Sequence, residues 1–228
     1  MNKERDAYTK LFERIDKDLF FKNGIDDIIF MDKQAIDEHW EKLKKDVFNN
    51  QSVFIRGYGR DAKGTSLYRK LYENMFENAN IKKDPTNNAK PTELLKNNTS
   101  YSKIKQSGKT LIANYQISHL FGKTKNPLLF NCPWNIAYIP KYLDPFTGHE
   151  TQGQHSKDFK HSFLISLKEK FKDYIEEYNL IIRNDVADKI EESLEFVKSE
   201  MVKSKIEFSI DEFNRFKRDV RNELSEIH

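Results

Sequence analysis

Apolar residues recur at helical spacing over most of this chain, and the stretches that break the rhythm are short and central. Leu11, Ile15 and Leu19 fall at every fourth position, and "DKQAIDEHWEKLKKDVF" repeats the pattern with Ile36, Trp40, Leu43 and Val47. Such positions share one helix face, so two amphipathic helices are predicted to open the chain, the second behind an Asp32 N-cap. In "QSVFIRGYGRDAKGTSLYRKLYENMF" the rhythm changes. Val53 to Ile55 form a β-branched and aromatic run, a glycine-punctuated turn follows, and Leu67, Leu71 and Met75 then lie on one helix face. The order is strand, basic loop, helix. Lys82 to Lys109 is polar and carries prolines and paired asparagines, which predicts a long surface connection with at most one short helix around Thr92–Lys96.

"TLIANYQISHLFG" and the proline-bounded "PWNIAYIP" resume strand chemistry and are expected to pair antiparallel around the loop between them. "DPFTGHETQG" sets Asp144 and Pro145 at the N-cap and first position of a helix that Gly148 and Gly153 keep weak or short. Helix is predicted from there to the end. The stripes are Phe159, Phe163, Leu167 and Phe171, then Ile190, Leu194, Val197 and Met201, then Phe213, Phe216, Val220 and Leu224 behind the capping-box pair Ser209 and Glu212. They read as core seams or a partner interface. The fold class expected is α+β, predominantly helical, in one compact unit. Its regions are an N-terminal helical segment over 1–50, a central region over 51–154 and a C-terminal helical region over 155–228.

Composition narrows the function classes. Seventeen Phe and ten Tyr supply apolar area enough for a folded state although a third of the residues are charged. Against 36 Asp and Glu stand 39 Lys and Arg, so nucleic-acid binding must rest on where the cations sit rather than on their sum. The single cysteine, Cys132, excludes an internal disulfide and a cysteine zinc cluster, and leaves His, Asn, Asp and Glu as metal ligands. Neither a signal peptide nor a membrane-spanning apolar run is found, and the chain reads as cytoplasmic. No GxxxxGK[ST] phosphate loop occurs, so nucleotide hydrolysis has no support.

Chemistry concentrates around the two central strands. His119 ends the first, Asn135 opens the second and His149 follows on the short helix, so strand pairing with the helix folded back would gather three distant side chains in one pocket. Two basic segments flank them. "IRGYGRDAKG" exposes Arg56, Arg60 and Lys63 among glycines with Tyr58 between, and "FGKTKN" adds Lys123 and Lys125; both suit phosphates or guanine edges. His155 and His161 are further candidate ligands, ranked lower because they lie past the helix's first turn.

The residues "ISHLFG", "WNIAYIP" and "TGHE", within Leu111 to Glu150, resemble the HNH or ββα-metal nuclease motif, and the fuller stretch resembles restriction-endonuclease-like bacterial proteins. The resemblance implies a small ββα-metal nuclease core wrapped by amphipathic helices, and phosphodiester hydrolysis leaving a 5′ phosphate and a 3′ hydroxyl. His119 would be the general base, since imidazole ionises near neutral pH, and Asn135 would bridge the loop and orient it. His149, with an oxygen from Asn135, Asn126 or Glu150, would hold Mg2+ or Mn2+. The pattern departs from the family at Ser118, where many members carry an aspartate, and in lacking a CxxC pair. The expected partners are double-stranded DNA, a second copy joined through the C-terminal helices to cut a palindromic site, and a cognate methyltransferase of a restriction or phage-defence system. Alternatives are a ribonuclease or nicking toxin with the same site, and a non-catalytic helical nucleic-acid-binding protein.

Overall fold

The computed structural model describes residues 6–62, 64–147, 151–203 and 209–228. The fold is α+β and predominantly helical, with small sheets at its centre.

Three helices open it: α1 (Ala7–Phe12), α2 (Lys17–Asp26) and α3 (Lys33–Phe48). The single helix expected from Leu11, Ile15 and Leu19 is broken in two, because the Asp16 carboxylate caps α2 by accepting the Leu19 amide at 2.8 Å. Those three residues are exposed, at 38%, 39% and 56%. Aromatics hold this region instead: Tyr8, Phe12, Phe20 and Phe21 ring Phe146, with Tyr8 at 4.5 Å and Phe21 at 5.2 Å. The Asp32 cap of α3 forms as read, and Ile36, Trp40, Leu43 and Val47 are buried.

Strand β1 (Val53–Ile55) leads through the basic loop to α4 (Thr65–Phe76), which crosses back to β2 (Ile81–Lys83), a parallel partner of β1. The polar segment after it is more ordered than its composition suggests. It holds β2, α5 (Ala89–Asn98), longer than Thr92–Lys96, and the two-residue parallel strands β3 (Tyr101–Ser102) and β4 (Thr110–Leu111). The physical reason is Asp84. Its buried carboxylate accepts the amides of Thr86, Ala89 and Lys90 at 2.8–3.0 Å, so a residue that reads as loop polarity nucleates α5.

The expected antiparallel hairpin is present as β5 (Tyr115–His119) and β6 (Ile136–Pro140), in register from Tyr115 opposite Pro140 to His119 opposite Ile136. A bridge from Ile29 to Tyr138 covers the other edge of β6, whose five residues are all buried. A 3-10 turn over Lys141–Leu143 leads to α6 (Asp144–Thr147), with Asp144 its first residue rather than its N-cap. The C-terminal half is α7 (Gln154–Lys170), α8 (Lys172–Ile181), a π-helical turn over Ile182–Val186, α9 (Ile190–Lys203) and α10 (Ile210–Glu223). The Ser209–Glu212 capping box is formed in both directions.

One continuous buried cluster runs from Ile28 to Ile227. Phe213, Phe216, Val220 and Leu224 belong to it, as do Leu194, Val197 and Met201. The faces expected to join two protomers are thus core seams within one chain.

Candidate active site

The site is built on the β5–β6 hairpin. The ladder extends one step past β5, where the Leu120 amide donates to the Asn135 carbonyl at 2.8 Å, and the chain then turns through left-handed backbone at Gly122 and Lys123. The fully buried Asn135 side chain braces this loop from inside. Its Oδ1 accepts the Phe121 amide at 2.8 Å, and its Nδ2 donates to the carbonyls of Leu129 at 2.9 Å and Gly122 at 3.2 Å. Three bonds from one amide hold both ends of the loop, since a buried polar group left unpaired is costly.

That brace fixes the partner of His119. The ring Nε2 lies 2.8 Å from the Phe130 carbonyl, and the Phe130 ring stacks at 5.3 Å. A carbonyl can only accept, so Nε2 carries the proton and Nδ1 keeps its lone pair. Burial, as the main cause, brings the imidazole's pKa down to about 4; the bond to Phe130 opposes this, Arg56 adds to it and Asp84 opposes it. At neutral pH the ring is uncharged, but the ionisation near neutral pH on which the sequence expectation rested is not kept: burial makes this imidazole a weaker proton acceptor than a free one. It lines a cavity of about 160 Å³ with Ser118, Thr147 and Lys160 over an apolar wall that includes Ile139 and Phe163.

Thr147 and Lys160 were not singled out from the sequence. Lys160 follows the buried Phe159 in α7, so its position off the apolar stripe was legible, but nothing local said which cavity it would border. Thr147 is the last described residue of α6, which is fixed to the hairpin by a Gln116–Asp144 side-chain hydrogen bond and to α1 and α2 by the aromatics around Phe146. Lys160 also borders a second cavity, of about 580 Å³, with Thr151, Gly153, Ser156 and Lys157 at the start of α7.

The other candidates separate. His149, Glu150 and Lys63 lie outside the described residues. Asn126 is no metal ligand here: it is fully buried, its Nδ2 donates to the Tyr178 hydroxyl and the Glu223 carbonyl, both at 2.9 Å, and its Oδ1 accepts the Leu128 amide. Lys123 and Lys125, expected to meet nucleic acid, point into the protein. Lys123 Nζ donates to the Ser225 hydroxyl at 2.6 Å and to the Asn222 carbonyl. Lys125 Nζ pairs with Glu223 at 3.0 Å and Asp219 at 3.1 Å. Tyr58 is half-buried, edge-on to Tyr68 at 5.2 Å and 5.9 Å from Phe216. Arg56 and Arg60 remain exposed, and the Arg56 amide donates to the Thr124 carbonyl at 2.9 Å, so the two basic segments are joined. His155 contacts Thr9 and Phe12 between α7 and α1, and His161 is exposed on α7.

The metal that the HNH resemblance implies finds too few donors at this cavity among the described residues. One imidazole, two hydroxyls and an ammonium group do not make a divalent site, and no cluster of three His, Cys, Asp or Glu is present among those residues.

Comparison with known proteins gives the lineage. A family model described as "Uncharacterised protein PM1201" matches residues 31–228. This chain belongs to that family. The uncharacterized protein PM1201 of Pasteurella multocida (strain Pm70) is 37% identical over 205 residues, covering 89% of this chain and 87% of the relative. No solved structure matches the chain. The PM1201 family match starts after α2, and its span contains His119, Asn135, Lys160 and the whole hairpin. Among the described residues no helix is long and apolar enough to cross a membrane.

Proposed function

We propose that this protein is a metal-dependent DNA endonuclease of the HNH type, cytoplasmic, serving a restriction or phage-defence system beside a cognate methyltransferase. The observation that carries this reading is the His119–Phe130 hydrogen bond: it leaves an uncharged imidazole with a free Nδ1 lone pair on a cavity that also holds Lys160.

In this reading Nδ1 takes a proton from water as the water oxygen attacks phosphorus in line and the bond to the 3′ oxygen breaks. Lys160 faces the phosphate and offsets its growing negative charge. Asn135 acts as a positioning residue, because its amide holds the loop that carries the Phe130 carbonyl. The departing oxygen takes up a proton from solvent; the metal dependence in this reading comes from the sequence resemblance alone, whose candidate ligands His149 and Glu150 lie outside the described residues. A palindromic target keeps a homodimer in this reading, joined by a surface other than the internal faces of α9 and α10.

The test is incubation of the purified protein with plasmid and Mg2+ or Mn2+, followed by sequencing of the ends. Cleavage leaving 5′ phosphates, lost in His119→Ala with duplex binding intact, is the expected result. Intact plasmid with folded protein under every metal overturns the enzyme reading.

A further inference from the structure

The lysines of the loop after His119 fasten a helix instead of facing solvent. Lys123 reaches Asn222 and Ser225, and Lys125 reaches Asp219 and Glu223, all on α10 or just past its end. From the other basic loop, Tyr58 packs on Phe216 of the same helix. Both loops that read as nucleic-acid contacts are thereby clamped to the inner side of α10, whose Phe213, Phe216 and Val220 are buried.

The outer side of α10 carries the opposite chemistry. Arg215 and Arg218 are exposed, Lys217 lies 5.8 Å over the Phe213 ring, and none of the three has an ion-pair partner within 4 Å among the described residues. They border an open cavity of about 540 Å³ with Asn214, Asp211 and Arg221. Arg221 is held by Glu191 at 2.9 Å, and the Glu212 carboxylate, though it feels the Arg215 charge, is bonded to Ser209, so among the described residues Asp211 and Glu212 are the acids that stand beside the three cations. Arg215 and Arg218, three residues apart on one helix face, repel each other unless an anion lies between them. Arg215 and Arg218 stand about 4.5 Å apart along the helix axis, while each DNA strand carries a phosphate every 3.4 Å or so. The Arg215 charge acts on the Tyr58 hydroxyl, and that of exposed Arg56, two residues before Tyr58, acts on the His119 ring.

We propose that the outer face of α10, through Arg215, Lys217 and Arg218, holds the phosphate backbone of duplex DNA flanking the His119 cleft. The inference rests on the nuclease reading for its ligand, and on these cations alone for its place. The surface carries no base-specific geometry, so it contributes affinity and orientation rather than sequence choice.

The experiment is binding of a short fluorescent duplex in EDTA, by anisotropy, across a salt series from about 50 to 200 mM. Arg215→Ala/Arg218→Ala should weaken binding about tenfold or more and make the log–log salt slope shallower by about 1.8. Arg215→Lys/Arg218→Lys should keep the wild-type slope, as should Lys33→Ala/Lys45→Ala, which removes two exposed charges from α3. Arg215→Gln/Arg218→Gln replaces the alanine pair if that variant loses its thermal transition. Wild-type affinity and slope in the charge-removed variant, an equal loss in the α3 control, or stronger binding to a matched RNA duplex each overturn the proposal. Failure to cut plasmid with the binding pattern intact removes the nuclease reading and leaves this surface standing; a wild-type protein that binds no duplex removes both.

Discussion

The side-chain oxygen of Asn135 lies 2.8 Å from the Phe121 amide, across the loop that opens after His119. Asn135→Ala leaves that amide and the carbonyls of Gly122 and Leu129 without this partner, and each buried unpaired group costs about 1–3 kcal/mol. A net loss of about 2–5 kcal/mol is expected, since water entering the space restores part of the bonding. Urea denaturation reads it directly. Asn135→Asp keeps the acceptor and loses the donor, so it should also destabilise, by setting a carboxylate against two carbonyl oxygens. Wild-type stability in the alanine variant would remove the brace, and with it the account of how His119 keeps its partner.

The histidine makes stability depend on pH. Its pKa, near 6.5 when unfolded, is brought down to about 4 in the folded protein, mainly by burial. Between those values the unfolded chain binds more protons, so stability present at neutral pH falls as pH drops from 6.5 toward 4, and this group adds no further loss below 4. His119→Gln keeps a donor for the Phe130 carbonyl and removes the titration. The wild type should therefore lose stability relative to the variant across that window, while above about pH 7 the difference between them stays constant. Parallel urea unfolding curves over the pH series check this. A constant difference down to pH 4 would place the imidazole in solvent.

The hairpin was legible because local chemistry decides it. Short apolar runs, one bounded by prolines, admit few other structures, and Asn135 stands where the second run begins. The Ser209–Glu212 box and the stripes of α3, α4 and α10 were legible for the same reason, being periodic over several turns. What misled was polarity serving a distant or internal partner. Asp84 reads as loop polarity and Asn126 as a candidate metal ligand, yet one nucleates α5 and the other joins Tyr178 to the end of α10. Lys123 and Lys125 find their acceptors roughly a hundred residues away, a pairing that no window of sequence reveals. Near the N-terminus the four-residue spacing of Leu11, Ile15 and Leu19 competed with a cap at Asp16 and with partly buried aromatics that gather on Phe146 and leave those three residues exposed.

Lys160 gives a separate test of the cleft. It borders the cavity with His119 but has no ion-pair partner among the described residues, so removing it should leave the fold intact. Lys160→Met keeps most of the apolar stem and deletes the charge. Plasmid cleavage should slow by tenfold or more, up to the roughly 10²–10³ seen when a transition-state charge loses a donor, while the thermal midpoint stays at the wild-type value. Lys160→Arg should recover part of the rate. Unchanged cleavage in the methionine variant would mean that the phosphate approaches His119 from another side.

The Lys125–Glu223 pair separates the structural lysines from the nucleic-acid surface. Glu223 is only 4% exposed and accepts from both the Lys125 ammonium at 3.0 Å and the Lys125 amide at 2.9 Å. Lys125→Met strands a buried carboxylate and should cost about 3–5 kcal/mol. Lys125→Met/Glu223→Gln removes the charge pair together and should recover much of that loss, because two matched charges gain little over neutral groups of the same shape. The coupling between the sites should exceed about 1 kcal/mol in a double-mutant cycle. The same double variant should bind duplex DNA with the wild-type salt slope, because the Lys125 ammonium is already neutralised by Asp219 and Glu223 and releases no counterion from the duplex. A slope shallower by about 0.9 would instead return Lys125 to the DNA-facing side, and the inner and outer faces of α10 would have to exchange roles.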